Sequence, residues 1–297
     1  MYKQIDSNKR KTFVLVATFI AVVLVIGYVF AEFTQAGYPA LVMAGVFSIL
    51  MSLGGYFQGD KIALMSTGAK GPIKKTDSPY LYRIVENLSI ASGLPMPKVY
   101  LIPDQSINAF ATGRNPQHAS VAVTTGAIDK LANEELEGVI AHELSHIKNY
   151  DILLMTVVLV LVGLLALLAD WFIRIQFWGG GNNKKEGGGQ VQLIFMVVGI
   201  VLLVLSPIIG QIIQLAISRK REYLADADAA LLTRYPEGLA KALEKISAEN
   251  MPMKNANNAT AHLFFSSPFG RAKHLMSGLF ATHPPVQERI SQLRKMI

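Results

Sequence analysis

Asn133-Glu134-Glu135-Leu136-Glu137-Gly138-Val139-Ile140-Ala141-His142-Glu143-Leu144-Ser145-His146-Ile147-Lys148, followed after Asn149-Tyr150-Asp151 by an apolar run over 152–172 whose one charged residue is Asp170, decides how this chain is read. The first part has the 3.6-residue period of an amphipathic helix. Leu136, Val139, Ile140, Leu144 and Ile147 form its stripe, Asn133 is the expected N-cap, and Glu134 and Glu135 open the first turn. Beside the stripe stand His142 and His146. At this spacing one ring lies above the other, and both can bind one metal ion. Glu143 projects beside them, where a carboxylate can take a proton from bound water. Glu134, Glu135, Glu137, Lys148 and Asn149 surround the motif and place it in water. The run that follows reaches the ~20 residues needed to cross hydrocarbon. A helix carrying chemistry thus leads directly into a membrane segment.

The whole composition agrees. Of 297 residues, 51% are hydrophobic and 16% charged, with a mean hydropathy of +0.35. Soluble domains carry about 25% charged residues, so a disordered chain or a nucleic-acid-binding tail is excluded. Four apolar stretches, 12–30, 38–57, 152–172 and 191–217, are long enough to span a bilayer. The last contains Pro207 and Gly210, which membrane helices tolerate as kinks. The third and fourth form a hairpin, which the soluble domain can partly cover. The first follows Lys9, Arg10 and Lys11 but is longer than a signal-peptide core of ~7–15 residues and lacks a small-x-small site. It is read as a retained anchor.

The net charge of +7 is assigned to the flanks of these spans, not to a nucleic-acid partner. Lys3, Lys9, Arg10 and Lys11, then Lys61, Lys70, Lys74 and Lys75, then Arg219, Lys220 and Arg221 all fall on one side, which is the cytoplasmic one by the positive-inside rule. Arg174, Lys184 and Lys185 dissent from within a glycine-rich connection, read as a flexible external loop. With no cysteine, disulfides, thiol nucleophiles and Cys-ligated zinc are excluded, and any metal rests on His, Asp or Glu.

The expected organisation is a tail with two transmembrane helices over 1–57, the first half of a cytoplasmic domain over 58–151, a membrane hairpin over 152–217 and the second half over 218–297. The first half contains an expected helix over 79–92, with Leu81, Ile84, Val85 and Leu88 on one face. Short strands are expected over 99–102, 107–111 and 120–123. In the second half, Arg221-Glu222-Tyr223-Leu224-Ala225-Asp226 puts two carboxylates on one helical face. One can bind the metal and the other can hold the free ring nitrogen of a ligating histidine; the spacing leaves open which does which.

The H-E-x-x-H and E-x-x-x-D pair resembles the gluzincin metallopeptidases. Over nearly its whole length the chain resembles HtpX-type membrane zinc proteases, relatives of the integral-membrane prenyl-protein proteases. The resemblance rests on the two N-terminal spans, Asn108-Ala109-Phe110-Ala111-Thr112-Gly113, 123–126, 142–151, the second hairpin and 218–226. It also includes Thr282-His283-Pro284-Pro285 with Glu288-Arg289-Ile290; the stretch 250–278 matches least. It implies an α+β, mostly helical, four-span protein whose zincin-like cytoplasmic domain is split by a membrane hairpin. It further implies one zinc ion held by His142, His146 and Glu222, Glu143 as general base, and Asp226 orienting a ligating histidine. Asn108, Ala109, Phe110 and Ala111 become an edge strand that pairs with the substrate backbone, although plain sheet is an equally open reading. His283, before the rigid Pro284-Pro285 step, is either a donor to the developing oxyanion or a turn or cap histidine. Arg289 either pairs with a carboxylate near the site or pins the last helix, with pinning preferred, and His118, His262 and His274 are read as surface residues.

The resulting expectation is a zinc metalloendopeptidase of a bacterial cytoplasmic membrane. Its substrates are unfolded polypeptides and misfolded or damaged membrane proteins, cut at their cytoplasmic segments, a quality-control role that comes from the resemblance. Three alternatives stand beside it. An intramembrane protease is opposed by the charges around the motif, and a scaffold or transporter with a structural metal is opposed by Glu143. A prenyl-protein protease is opposed by the smaller number of spans.

Overall fold

The computed structural model describes residues 2–34, 37–178, 199, 218–249, 251–257, 259–269 and 284–296. Helices α1 (Tyr2–Thr34) and α2 (Gly37–Ser66) are long and apolar enough to cross a membrane. Phe13, Val42 and Leu50 lie more than half bare on them. An apolar belt of that extent, built from helices that satisfy their own backbone, has lipid as its natural solvent. This is a membrane protein. Helix α1 meets α2 closely at Gly27, opposite Ala44.

The third apolar stretch begins a helix at Asp151 and runs past the expected end, as α6 (Asp151–Trp178). Residues 151–161 are buried inside the protein and do not face lipid. Leu153, Val157 and Leu161 pack on Phe19 and Val23 of α1. On the other side, Gly55 and Gly59 of α2 let Val160 and Thr156 approach, the small-residue spacing by which membrane helices pack. The fourth stretch, 191–217, and the glycine-rich connection before it lie outside the described residues, apart from Gly199.

Helix α3 (Pro79–Ser92) forms as its period requires, with Leu81, Ile84, Val85 and Leu88 buried, and stops at Gly93 in the left-handed conformation (φ 69°). The strands β1 (Lys98–Ile102), β2 (Ala109–Gly113) and β3 (Ala119–Thr124) make a sheet ordered β1-β3-β2, with β1 parallel and β2 antiparallel to β3. The second strand starts two residues later than expected. Asn108 is bonded to Thr124 through both its N–H and its C=O just before the ladder, a bracket that opens the strand. Short α4 (Thr125–Lys130) leads into α5 (Asn133–Lys148).

Two expectations about α5 are corrected. Its N-cap is Ala132, not Asn133; alanine has no side-chain acceptor, and the Glu135 carboxylate instead accepts from the Ala132 N–H at 2.8 Å. Nor does the motif itself lie in water, although Glu134 is exposed and Glu137 and Lys148 are half-buried. Glu135, His142, Glu143, Ser145, His146 and Asn149 are buried together with the apolar stripe. Helices α7 (Arg219–Thr233) and α8 (Pro236–Ala248) cover the polar face, α3 and β2 cover the rest, and α9 (Val286–Arg294) closes over α7 and α8. The chain then turns 82° from α5 into α6 through Tyr150, whose φ of 59° is left-handed.

The α5–α8 crossing is close enough to require glycine on each side. A Cβ on Gly138 would lie 2.9 Å from the Leu239 backbone N, and one on Gly238 would lie 2.5 Å from the Glu134 carbonyl O. In an isolated helix Gly138→Ala would help by about 1 kcal/mol. Here backbone atoms must separate, an overpacking cost of about 1–3 kcal/mol, so destabilisation wins. The expected outcome is a lower melting temperature for Gly138→Ala in detergent; a rise would show that these helices separate freely.

Candidate metal centre

The site is assembled on α5. One helical turn puts the Nε2 atoms of His142 and His146 3.1 Å apart, in a core where both rings are buried. Two bare lone pairs cannot face one another at that distance; something positive must lie between them, a proton or a metal ion. Glu222 of α7 decides what else the site suits. Its carboxylate oxygens lie 3.7 Å from His142 Nε2 and 3.6 Å from His146 Nε2, beyond ordinary hydrogen-bond reach. Tetrahedral zinc with bonds near 2.0–2.2 Å separates its donors by about 3.3 Å, so the three side chains fit one ion. Among the described residues this is the group whose ligand atoms converge, all within 4.8 Å of one another.

Each ring is turned inward by a carboxylate behind it. His142 Nδ1 lies 2.9 Å from Asp226 Oδ1, off the ideal in-line direction, and His146 Nδ1 lies 3.0 Å from Asp151 Oδ2. With Nδ1–H facing a carboxylate, Nε2 is left as the donor to a metal. Each carboxylate is in turn held by an arginine. The Arg289 Nε and Nη2 atoms donate to Asp226 at 2.9 and 2.7 Å, and Arg221 Nη1 donates to Asp151 at 3.1 Å. Burial would raise the Asp226 pKa, but Arg289 outweighs it and holds the carboxyl below its ordinary range.

The structure therefore brings together His142, Glu143, His146, Glu222 and Asp226, with Glu143 buried next to His142 on α5. Arg289 is fully buried and fulfils both readings, pairing with the site carboxylate Asp226 and thereby tying α9 to α7. His262 is likewise buried, not on the surface, with Nε2 3.0 Å from the Met155 carbonyl. His118 is exposed as expected. His274 and His283 lie outside the described residues.

Asp151, Arg221 and Phe265 were not anticipated. Asp151 had one signal, a lone acid at the threshold of an apolar run, five residues after His146. Phe265 lies in the poorly matching stretch, yet its ring stands edge-on to His142 at 4.9 Å, with the Arg289 guanidinium 4.8 Å from its centre. Strand β2 is at the sheet edge. Its outer side is partly covered by the chain itself, because Phe265 N–H donates to the Ala109 carbonyl at 2.8 Å and the Asn108 side chain bonds Ser266.

Comparison with known proteins agrees with this geometry. A family model described as Peptidase family M48 matches residues 75–297. A Protease HtpX homolog of Thermoanaerobacter pseudethanolicus is 46% identical, covering 100% of this chain and 98% of the relative. Another, of Listeria monocytogenes, is 41% identical with 100% of both chains covered. Among solved structures, the crystal structure of S. mikatae Ste24p superposes with a TM-score of 0.53 at 21% identity, covering 99% of this chain and 67% of that one, a likeness of fold.

The site has a readable proton balance. Burial pushes the His142 ring down to about 4 against the pull of Asp226. Burial also pulls His146 down, but Asp151, Glu222 and Glu143 outweigh it and raise this ring to about 9. Without metal, one proton therefore sits on His146 below pH 9 and must leave when an ion binds. Zinc binding at pH 7 is expected to release about one proton, and affinity should rise roughly tenfold per pH unit until about pH 9. Calorimetry in buffers of different ionisation enthalpy reads the proton directly; binding with no proton release would show His146 already neutral.

Proposed function

The chain belongs to peptidase family M48, and on that premise we propose that it is a zinc-dependent endopeptidase of the cytoplasmic membrane. The observation that carries this is the convergence of His142, His146 and Glu222 with buried Glu143 alongside. Two imidazoles and a carboxylate suit zinc, and three protein donors leave a fourth position for chemistry. When bound, zinc supplies Lewis acidity toward the scissile carbonyl and lowers the pKa of water toward ~7. Glu143 takes the proton from the attacking water and returns it to the leaving amine. Asp226 and Asp151 keep the two rings in the tautomer that faces inward. His283, which precedes buried Pro284, is the proposed donor to the developing oxyanion.

Substrate enters as a strand along Asn108–Ala111. Its backbone takes over the hydrogen bond that Phe265 now makes to Ala109, so the Phe265–Ser266 segment moves aside. The start of α1 and the start of α6 meet beside the catalytic elements, and the lysines and arginines of this end make it cytoplasmic. The remaining hairpin, 152–217, brings the spans to four. Asp151 is both the first residue of α6 and the acceptor for His146, so the site lies at the membrane-proximal end. That position supports substrates that are themselves membrane-bound, misfolded or damaged, and cut in their cytoplasmic segments.

The test uses full-length protein purified in detergent with a chelator. Restoring zinc should restore cleavage of an unfolded reporter, and Glu143→Ala should bind the same zinc while losing at least ~100-fold in kcat. Equal turnover by both proteins, with zinc bound in each, would support the alternative of a structural metal in a membrane scaffold. In proteoliposomes, a reporter fused to a transmembrane anchor is expected to be cut faster than its soluble form. Equal rates would remove the membrane preference.

A further inference from the structure

We infer that Asn8, on the N-terminal membrane helix, is a positioning residue of the metal centre, acting through Asp151 on His146. The inference rests on the metal-site reading above and extends the site to an element outside the catalytic segments. Asn8 lies four residues before the apolar run of α1 begins, in a basic tail that gives no hint of a role. Its side chain is fully buried. The amide Nδ2 donates to Asp151 Oδ1 at 2.7 Å and to the Asn149 carbonyl at 2.9 Å, and Oδ1 accepts from Arg221 at 3.4 Å. Arg221 donates to the same Asp151 oxygen, while the other oxygen faces His146 Nδ1.

The division of labour on Asp151 gives the argument its force. One oxygen is committed to the metal-ligating ring. The other is fixed from two directions, by α1 through Asn8 and by α7 through Arg221, the residue beside Glu222. Without Asn8, Asp151 keeps a single anchor and can turn toward Arg221, away from His146. Packing alone would be served by an apolar side chain at this depth, whereas a buried amide is tolerated only when its polar atoms are matched, as these are. Helix α1 also grips the turn that carries Asp151. Lys9 Nζ lies 4.8 Å from the centre of the Tyr150 ring, and Tyr150 is the residue held at positive φ where the chain bends from α5 to α6. The N-terminal helix is therefore more than an anchor; it completes the support of a metal ligand.

Zinc affinity of the full-length protein in detergent, measured by competition with a chelator, tests this independently of cleavage. Asn8→Ala is expected to weaken zinc binding up to about tenfold, the low end of the 10–100-fold effect of removing a group bonded directly to a ligand. Phe19→Ala, which removes a buried α1 contact to Leu153 and Val157 away from the polar cluster, should lower the melting temperature and leave zinc affinity as it was. Asp151→Asn should weaken binding at least as much as Asn8→Ala does, about 10–100-fold, and adding Asn8→Ala to it should cost little more, because both act through one carboxylate. Unchanged affinity in Asn8→Ala, a loss no greater than in Phe19→Ala, or full additivity with Asp151→Asn would overturn the inference. Failure of the protease reading shows itself elsewhere, as wild-type protein that binds zinc and cuts nothing, with the affinity comparison still deciding the role of Asn8.

Discussion

Two imidazole nitrogens held 3.1 Å apart in a buried core set the terms for everything around them. For both Nε2 atoms to face inward, each Nδ1 must carry its proton toward an acceptor, and Asp226 and Asp151 are those acceptors. Arg289 and Arg221 neutralise them in turn. Each histidine thus has a carboxylate and each carboxylate an arginine. Glu143 and Glu222 bring two further carboxyl groups to the same centre. Buried pairs of this kind tolerate no missing member, since stranding one charge costs about 3–5 kcal/mol.

This requirement explains which elements must converge. Helix α5 brings both histidines and Glu143, α7 brings Arg221, Glu222 and Asp226, α9 brings Arg289, and α6 brings Asp151 with its first residue. The glycines at 138 and 238 let α5 and α8 close to backbone contact, and those at 55 and 59 do the same for α2 and α6. The catalytic core and the membrane layer therefore share a boundary residue. Asp151 opens the helix that packs against α1 and α2, and it also fixes the orientation of His146.

What the sequence reveals and conceals follows from distance along the chain. The α5 stripe, the α3 face, the strands and the histidine pair are local patterns, with periods that single residues declare. Glu222 and Asp226 were legible as a pair because they sit four apart on α7. The supports were not. Asn8 meets Asp151 across 143 residues and Arg289 meets Asp226 across 63, and no periodicity links such partners. For Arg289 the sequence offers a carboxylate near the site or a pinning role without naming the partner, and His262 reads as a surface residue because a histidine without ligand spacing usually is one. Of the charges around α5 that point to water, Glu134 is exposed and Glu137 and Lys148 are half-buried, but one is not. Glu135 is in fact buried against the Lys245 ammonium, a contact across 110 residues.

Burial also constrains how the proposed reaction can be entered. His142, Glu143 and Glu222 are almost wholly covered, so a polypeptide reaches them only where some covering segment can leave. On the side of α1 and α6, opening would break the hydrogen bonds of Asn8, Arg221 and Asp151, the very contacts that orient His146. On the β2 side the exchange is gentler. The Phe265 N–H leaves the Ala109 carbonyl and a substrate N–H replaces it, while the two bonds between Ser266 and the Asn108 side chain are given up. Also given up is the packing of the Phe265 ring between His142 and Arg289. Neither the Asp226–Arg289 pair nor the Asp151 cluster depends on that ring for its hydrogen bonds. Of these two sides of the described residues, the sheet edge proposed above for substrate is the one whose opening leaves both histidine supports standing.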